Sequence, residues 1–223
     1  MKLIQQGATA EVADAVQADP TLTASRDSQG VSALIWSIYC GQPLVRDFLL
    51  ARLDTDSIAL DVFEAAAVGD QAQLKALLEA DCELAHAFSG DGWTALHLAA
   101  AFGTPAAVAL LLRAQAPVEA VSQNPQRNHP LHAALALGRN VETVELLLEH
   151  GAPVDAVQAG GFTPLFSAAS AGRQDLAQLL LARGANPFHR SDGDKTAADF
   201  ARDRGHLEFA AWLESEIARS SPK

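Results

Sequence analysis

The sequence predicts an all-α solenoid of stacked helix–turn–helix units with β-turn or hairpin fingers between them. A glycine recurs in the same local setting at intervals of 28 to 35 residues, at positions 7, 41, 69, 103, 138, 172 and 205. In the clearest copies an Ala-rich segment precedes this glycine, and an apolar triplet such as Leu110–Leu112 follows it. Self-similarity at this period is typical of stacked arrays and not of one closed core.

The first helix of each unit is expected to begin at a capping residue or a proline. Thr94 and Thr163 can each cap a helix start with the side-chain oxygen, and Pro130 and Pro164 suit the first helical position. The Ala-rich sequence makes this helix slim, so that neighbouring backbones can approach closely. The recurrent glycine, as at Gly103, then ends the helix in a left-handed conformation that other residues avoid.

The second helix presents aliphatic side chains at helical spacing, as Val108, Leu111 and Leu112 do. A lone helical hairpin cannot bury such a face, whereas stacked neighbours can. The sequence therefore predicts one continuous array.

Three stretches carry the motif most clearly, at residues 92–103, 128–138 and 161–172; the first reads Gly-Trp-Thr-Ala-Leu-His-Leu-Ala-Ala-Ala-Phe-Gly. They resemble the ankyrin repeat, whose signature is Gly-x-Thr-Pro-Leu-His-x-Ala-Ala-x-x-Gly before a Leu-rich helix. The resemblance implies a single array over residues 1–219, in which His97 and His132 tie neighbouring fingers by hydrogen bonds. The implied divisions are an N-terminal cap or partial repeat at 1–25, repeats at 26–55, 56–88, 89–122, 123–157 and 158–190, a C-terminal cap repeat at 191–219 and a frayed tail at 220–223.

The charge of the chain disfavours nucleic acid and anionic membranes as partners. It has 16 basic and 27 acidic residues, a net charge of −11, and no basic stripe. Residues 1–91 carry 5 basic and 14 acidic residues, a net charge of −9. This excess can steer a basic partner or serve only as a solvated face. No apolar run reaches the roughly 20 residues of a membrane span, and no secretory signal is recognisable, so a cytoplasmic location is expected. The capped ends of the array favour a monomer.

Two fingers depart from the regular length. The finger at 122–128 is two residues longer, has Arg127 where a glycine is usual and His129 where a threonine is usual. These departures indicate an altered hairpin and favour either partner contact or neutral loop drift. The finger around residues 54–57 is five residues short. It should leave a notch in the row of fingers, with Asp56 or Ser57 capping the next helix.

The resemblance also implies that a partner docks on the face formed by the fingers and the first helices. The exposed finger position before the helix start corresponds to Val31, Trp93, Asn128, Phe162 and Lys195. Aromatic residues on this face are expected to form a spaced row, because aromatic side chains supply many interface hot spots. The alternative is that these rings pack along their own fingers. The residues expected to contact the protein partner are Trp93, Phe102, Phe162, Tyr39, Asn128, Arg127, Asn124 and Lys195.

No catalytic fingerprint is recognisable in the chain: GxSxG, a Walker loop, HExxH and a dinucleotide-binding motif are all missing from the sequence. We therefore expect no cofactor, no metal and no catalysis. The expected function is a protein-interaction module that works as an adaptor, an inhibitor or an immunity-type binder. The alternative is a metal-dependent or hydrolytic enzyme with a site near His129 and His132, which lie three residues apart and are expected on one helix face.

Overall fold

The computed structural model describes residues 1–136 and 140–220. Within this part the chain forms fourteen α-helices, two short 3₁₀ helices and no β-strand, which confirms the all-α class. The 3₁₀ helices are Pro20–Ala24 and Cys82–Ala85. The α-helices are α1 Lys2–Gln5, α2 Thr9–Ala18, α3 Ala33–Tyr39, α4 Pro43–Thr55, α5 Val62–Val68, α6 Gln71–Ala80, α7 Ala95–Phe102, α8 Pro105–Arg113, α9 Pro130–Ala136, α10 Val141–Glu149, α11 Pro164–Ser170, α12 Gln174–Ala182, α13 Ala197–Asp203 and α14 Leu207–Ser220.

Alternate helices form two layers of a solenoid. The first helices α3, α5, α7, α9, α11 and α13 contact one another in chain order, and the second helices from α6 to α12 do the same. Each first helix also packs on the second helix that follows it. The predicted array of stacked helical hairpins is therefore confirmed. None of the helices in the described ranges is long and apolar enough to cross a membrane.

The buried core is divided near the connector between α4 and α5. One cluster of buried residues runs through the array from Val62 to Leu213. A second cluster, from Ile4 to Leu53, belongs to α1–α4. A smaller third cluster combines residues from both sides of the connector: Val31, Ile35, Ala67 and Leu98. The N-terminal unit, residues 1–55, is thus joined to the rest of the array by the third cluster and by Leu60, which packs against both larger clusters.

The predicted helix starts are confirmed at the prolines but at only one of the two threonines. Pro130 and Pro164 each begin a helix, and the Thr94 hydroxyl accepts a hydrogen bond from the His97 backbone N–H. The prediction for Thr163 is wrong, because its buried hydroxyl oxygen has no hydrogen-bond partner. The Thr163 carbonyl oxygen itself accepts the Phe166 N–H at 2.9 Å, and this contact takes the donor that the hydroxyl would have capped.

The left-handed turn glycine is confirmed at five positions: Gly7, Gly41, Gly69, Gly172 and Gly205. It is wrong at Gly103, where φ is −78°. Space requires glycine there instead, since a Cβ would lie 2.4 Å from the Ala66 carbonyl oxygen of the preceding first helix. Gly138 lies outside the described residues, as do residues 221–223 of the expected tail; Ser220 ends α14.

The short connector does not leave the predicted notch, and its predicted cap is wrong. Asp56 is the C-cap residue after α4, and Asp61 caps α5 in a reciprocal capping box with Glu64. The two flanking fingers, residues 26–32 and 88–94, meet instead: a Cβ on Gly90 would lie 1.5 Å from the Gln29 carbonyl oxygen. A cavity of about 120 Å³ remains beneath them. Six connecting residues are too few for a finger, so the flanking fingers close the gap.

Candidate protein-binding surface

The fingers share one backbone geometry, which the long finger keeps although it lacks the usual glycine. Four of them are closed by a hydrogen bond from a backbone N–H to a carbonyl four residues on, as from Ser89 to Trp93 at 2.7 Å. In the long finger the same bond joins Ser122 to Asn128 at 2.9 Å, two residues farther. The predicted altered hairpin is therefore an enlarged hairpin. Arg127 keeps the left-handed turn, with φ of 48° compared with 81° at Gly92.

Backbone hydrogen bonds join successive fingers along the row, from the finger at residues 88–94 to the finger at residues 191–195. The Gln123 N–H donates to the Gly92 carbonyl at 2.8 Å, and the Ala159 N–H donates to the Gln126 carbonyl at 3.0 Å. The Asp192 N–H donates to the Gly160 carbonyl at 3.1 Å in the same way. Since loops held by such a ladder lose little further freedom when a partner binds, the finger row is pre-organised.

The predicted histidine ties between fingers are confirmed. His97 Nε2 lies 3.0 Å from the Asn128 carbonyl oxygen, and His132 Nε2 lies 3.2 Å from the Phe162 carbonyl oxygen. Their Nδ1 atoms accept backbone N–H groups, from Thr94 and His129 respectively. Burial lowers the pKa of both rings to about 4. Both histidines are therefore neutral near pH 7, with Nε2–H as the donor to the next finger.

Three of the expected aromatic residues form one compact group, the N-terminal aromatic cluster of Tyr39, Trp93 and Phe102. The ring centre of Tyr39 lies 6.2 Å from that of Trp93 and 5.5 Å from that of Phe102. Trp93 and Phe102 are 6.3 Å apart, with planes 25° from parallel. All three side chains are half-buried. The rings come from the first and third helical units, so the cluster spans the connector between α4 and α5.

A carboxylate lies against this cluster. The Tyr39 hydroxyl donates to Asp91 Oδ2 at 2.6 Å, and the Ser89 hydroxyl donates to Asp91 Oδ1 at 2.5 Å. Burial, and then the hydrogen bond to Asp91, raise the pKa of Tyr39 above its usual range. The phenol therefore stays protonated and fixes the carboxylate beside the rings. Trp36 adds a fourth ring, whose Nε1–H donates to Asp27 Oδ2 at 2.8 Å.

Phe162 does not join that group, so the expected single row is two clusters. Phe162, Phe166 and Phe200 form the C-terminal aromatic cluster, with Phe162 5.5 Å from Phe166 and 5.2 Å from Phe200. The guanidinium carbon of Arg204 lies 5.2 Å from the Phe200 ring centre. The rings of this cluster are thus packed on one another and covered by an arginine of the same chain.

The remaining expected contact residues are placed differently. Asn128 is buried, with an exposed fraction of 8%, and its Oδ1 has no hydrogen-bond partner; Val31, also expected to be exposed, is 5% exposed. Asn124 Oδ1 accepts from the Ser122 hydroxyl and the Gln126 N–H, so it shapes its own finger. Arg127 is exposed. Exposed Lys195 forms an ion pair with Asp203. Asn128 and Asn124 are thus engaged in finger structure, whereas Arg127 and Lys195 reach solvent.

His129 and His132 are not arranged as a chelating pair. Their ring centres lie 5.7 Å apart, but both ring nitrogens of His132 already have hydrogen-bond partners. Burial lowers the pKa of His129. Among the described residues no group of three or more His, Cys, Asp or Glu side chains could hold a metal ion.

Two features near the N-terminal cluster were missed by sequence reasoning. Phe63 of α5 packs with Tyr39 and Trp93 around the bridging apolar residues. Phe63 lies six residues before its turn glycine, as His97 lies six residues before Gly103. This shared repeat position was the signal in the sequence that could have identified Phe63. A groove of about 510 Å³ also opens beside Phe102, between the turn after α3 and the end of α5. The groove adjoins the cluster at Phe102 and has both polar and apolar lining residues.

Comparison with known proteins identifies the repeat. A family model described as ankyrin repeats (3 copies) matches residues 62–158 and 119–191, which together make up more than half of the chain. A probable E3 ubiquitin-protein ligase of Oryza sativa subsp. japonica, XBOS34, is 37% identical over 91 residues, which are 40% of this chain and 18% of that protein. The B-cell lymphoma 3 protein homolog of Mus musculus is 33% identical over 131 residues, which are 59% of this chain and 29% of that protein.

A third relative aligns with a larger share of this chain but with a smaller share of its own length. Neurogenic locus notch homolog protein 4 of Homo sapiens is 36% identical over 165 residues, 73% of this chain and 7% of that protein. This chain therefore spans between 7% and 29% of the length of these three relatives. What is shared is the repeat array and not the whole of any relative.

Proposed function

Since this chain belongs to the ankyrin-repeat family, whose repeats bind other proteins, we propose that it is a protein-binding module that presents the N-terminal aromatic cluster to its partner. The observation that carries the proposal is the contact of Tyr39, Trp93 and Phe102, half-buried rings from two non-neighbouring units. Tyrosine and tryptophan are enriched among the residues that dominate binding energy.

The rigidity of the array supports the same function. The finger ladder and the buried His97 and His132 hold the scaffold in one shape before a partner arrives. A surface that is ordered in advance loses less conformational entropy on association. We infer a role as an adaptor, an inhibitor or an immunity-type binder, which acts by occupying a surface of its partner without chemistry of its own.

The C-terminal cluster is the weaker candidate for the same role. Arg204 already covers Phe200, and Phe166 is 2% exposed, so its rings offer less free apolar surface. Lys195 and Arg127 are exposed and fit the rim of an interface, where charged side chains contribute little affinity. The principal contact is therefore assigned to Tyr39, Trp93 and Phe102.

The test compares capture by three immobilised proteins from a lysate of the native host, with mass spectrometry as the readout. These are the wild type, the double variant Trp93→Ala/Phe102→Ala, and Phe188→Ala, which removes a ring that is 46% exposed and lies outside both aromatic clusters. We expect a protein that the wild type and Phe188→Ala retain and the double variant loses. Far-UV circular dichroism and thermal unfolding must show that the double variant is folded. Equal retention by all three would contradict the assignment of this surface.

A further inference from the structure

We propose that the N-terminal aromatic cluster binds an arginine side chain of a basic partner segment, with the guanidinium group against the rings and the Asp91 carboxylate. The inference rests on the proposed function, because it names the chemistry of the partner at that same surface. Four features of the molecule carry it: the rings, the carboxylate, a second cluster that serves as an internal comparison, and the charge distribution.

The rings offer a surface that attracts cations. An aromatic face carries negative electrostatic potential, and a guanidinium within about 6 Å of a ring centre is stabilised there. Trp93 and Phe102 lie with their planes 25° from parallel, and Tyr39 adjoins both. All three side chains are half-buried, so part of each remains exposed to a partner group.

The carboxylate of Asp91 supplies the matching acceptor. Hydrogen bonds from Tyr39 and Ser89 occupy one site on each oxygen, and each carboxylate oxygen can accept a second donor. Among the described residues no lysine, arginine or histidine forms an ion pair with Asp91, which is half-buried. A charge fixed by two neutral donors beside apolar rings gains more from a cation than a mobile surface carboxylate does.

In the C-terminal cluster, an arginine of the chain itself lies over an aromatic ring. Arg204 lies over Phe200 with its guanidinium carbon 5.2 Å from the ring centre. Arg204 directly precedes the turn Gly205, as Phe102 directly precedes Gly103. The same repeat position thus carries the arginine in the last unit and a ring in the third unit. Within the described part of the chain, no lysine or arginine lies over Tyr39, Trp93 or Phe102.

The charge around the cluster also favours a cationic partner. Residues 1–91 have a net charge of −9. The nearby Arg26 is engaged with Asp61 at 2.8 Å and Glu64 at 3.5 Å, so it does not neutralise Asp91. Arginine fits better than lysine, because a planar guanidinium stacks on rings and donates two parallel hydrogen bonds to a carboxylate. The excess acidity then accelerates the approach of a basic segment.

The probes are three blocked tripeptides, acetyl-Gly-X-Gly-amide with X as arginine, citrulline or lysine. Citrulline has nearly the shape of arginine without its charge. Each is titrated into ¹⁵N-labelled protein, and the indole N–H of Trp93 and the amides of residues 89–93 are followed by NMR. We expect saturable shifts with arginine, binding about tenfold weaker with citrulline, and an intermediate affinity with lysine. Shifts that are equal for arginine and citrulline would overturn the proposal.

Matched variants separate the cluster from general acidity. Asp91→Asn keeps an acceptor for the Tyr39 hydroxyl and removes the charge, whereas Glu83→Gln removes one charge from an exposed site outside the cluster. We expect Asp91→Asn to weaken arginine binding about tenfold and Glu83→Gln to leave it unchanged. Phe102→Leu keeps apolar volume, loses the ring face and should also weaken binding. Equal effects of Asp91→Asn and Glu83→Gln would refute the arginine assignment.

Two failures remain distinguishable. If a captured partner is lost by Trp93→Ala/Phe102→Ala but is held equally by the wild type and Asp91→Asn, the proposed function stands and the arginine inference is wrong. If a captured partner is insensitive to the double variant, the proposed surface itself is wrong. Binding of the arginine tripeptide away from residues 89–93 would overturn the inference in either case.

Discussion

Gly103→Ala should be strongly destabilising for a reason that differs from the one expected of a turn glycine. With φ of −78°, alanine meets no left-handed strain at this position. Its Cβ would instead lie 2.4 Å from the Ala66 carbonyl oxygen and 2.9 Å from the Ala99 backbone. Carbon atoms of real side chains keep at least about 3.0 Å from such atoms, so the first helices α5 and α7 must separate by about 0.6 Å.

The magnitude follows from what has to move. The contacting atoms are backbone, and the surrounding residues Ala65, Ala66 and Ala99 are fully buried, so no flexible side chain can give way. Overpacking of this kind costs about 1–3 kcal/mol, and the involvement of two backbones places Gly103→Ala near 3 kcal/mol. For a chain of this length that corresponds to a melting temperature lower by roughly 6–12 °C.

The assay is urea unfolding followed by far-UV circular dichroism, with Gly205→Ala as the matched control. Gly205 has φ of +84°, but a Cβ there would meet nothing within 4 Å. The loss of unfolding free energy in Gly205→Ala therefore measures only the cost of the left-handed conformation, about 1 kcal/mol. A loss at Gly103→Ala no greater than that at Gly205→Ala would refute the argument from close helix approach.

Acidification should destabilise the fold, because burial lowers the pKa of His97 and His132 to about 4 from 6.5. As the pH falls, the unfolded chain takes up protons before the folded chain does, so the stabilisation is fully present above pH 6.5 and decreases toward pH 4. The free energies of unfolding measured by urea titration at pH 7 and at pH 5 should therefore differ by about 2 kcal/mol per histidine. Arg127→Gly should raise the free energy of unfolding by about 0.5–1 kcal/mol, since it relieves a left-handed φ of 48°, and thermal unfolding measures it. Arg26→Ala removes ion pairs with Asp61, which is partly exposed, and with buried Glu64, and it should cost about 1 kcal/mol. Amide exchange should become faster in α3 and α4 but not in α10–α12, and uniformly faster exchange would contradict a separate N-terminal unit.

Periodic features of the array were predictable from the sequence, because each depends on residues within a single unit or its neighbour. The spacing of glycines and apolar triplets predicts the helical hairpins, and the motif position of His97 and His132 predicts their bonds to the next finger. Such contacts recur whenever the pattern recurs. Local patterns therefore fix local geometry.

The errors arise where one position meets a different environment in different units. Thr94 caps its helix with the help of His97, but Phe166 stands at the corresponding place after Thr163 and offers no polar partner. Gly103 follows the glycine pattern, yet its conformation is set by the approach of Ala66. In each case the deciding atom belongs to a residue that the motif does not specify.

The repeat pattern placed Tyr39, Trp93 and Phe102 on one face, but it could not predict their contact, because that contact joins units that a regular array keeps apart. A complete finger after α4 would stand between the fingers at 26–32 and 88–94. Since only residues 56–61 connect α4 to α5, those fingers touch, and Tyr39 reaches Asp91 at a separation of 52 residues. The divided core lies at the same connector. The short finger, the bridging cluster and the proposed binding surface are therefore consequences of one irregularity, and restoring a finger of regular length would separate the rings.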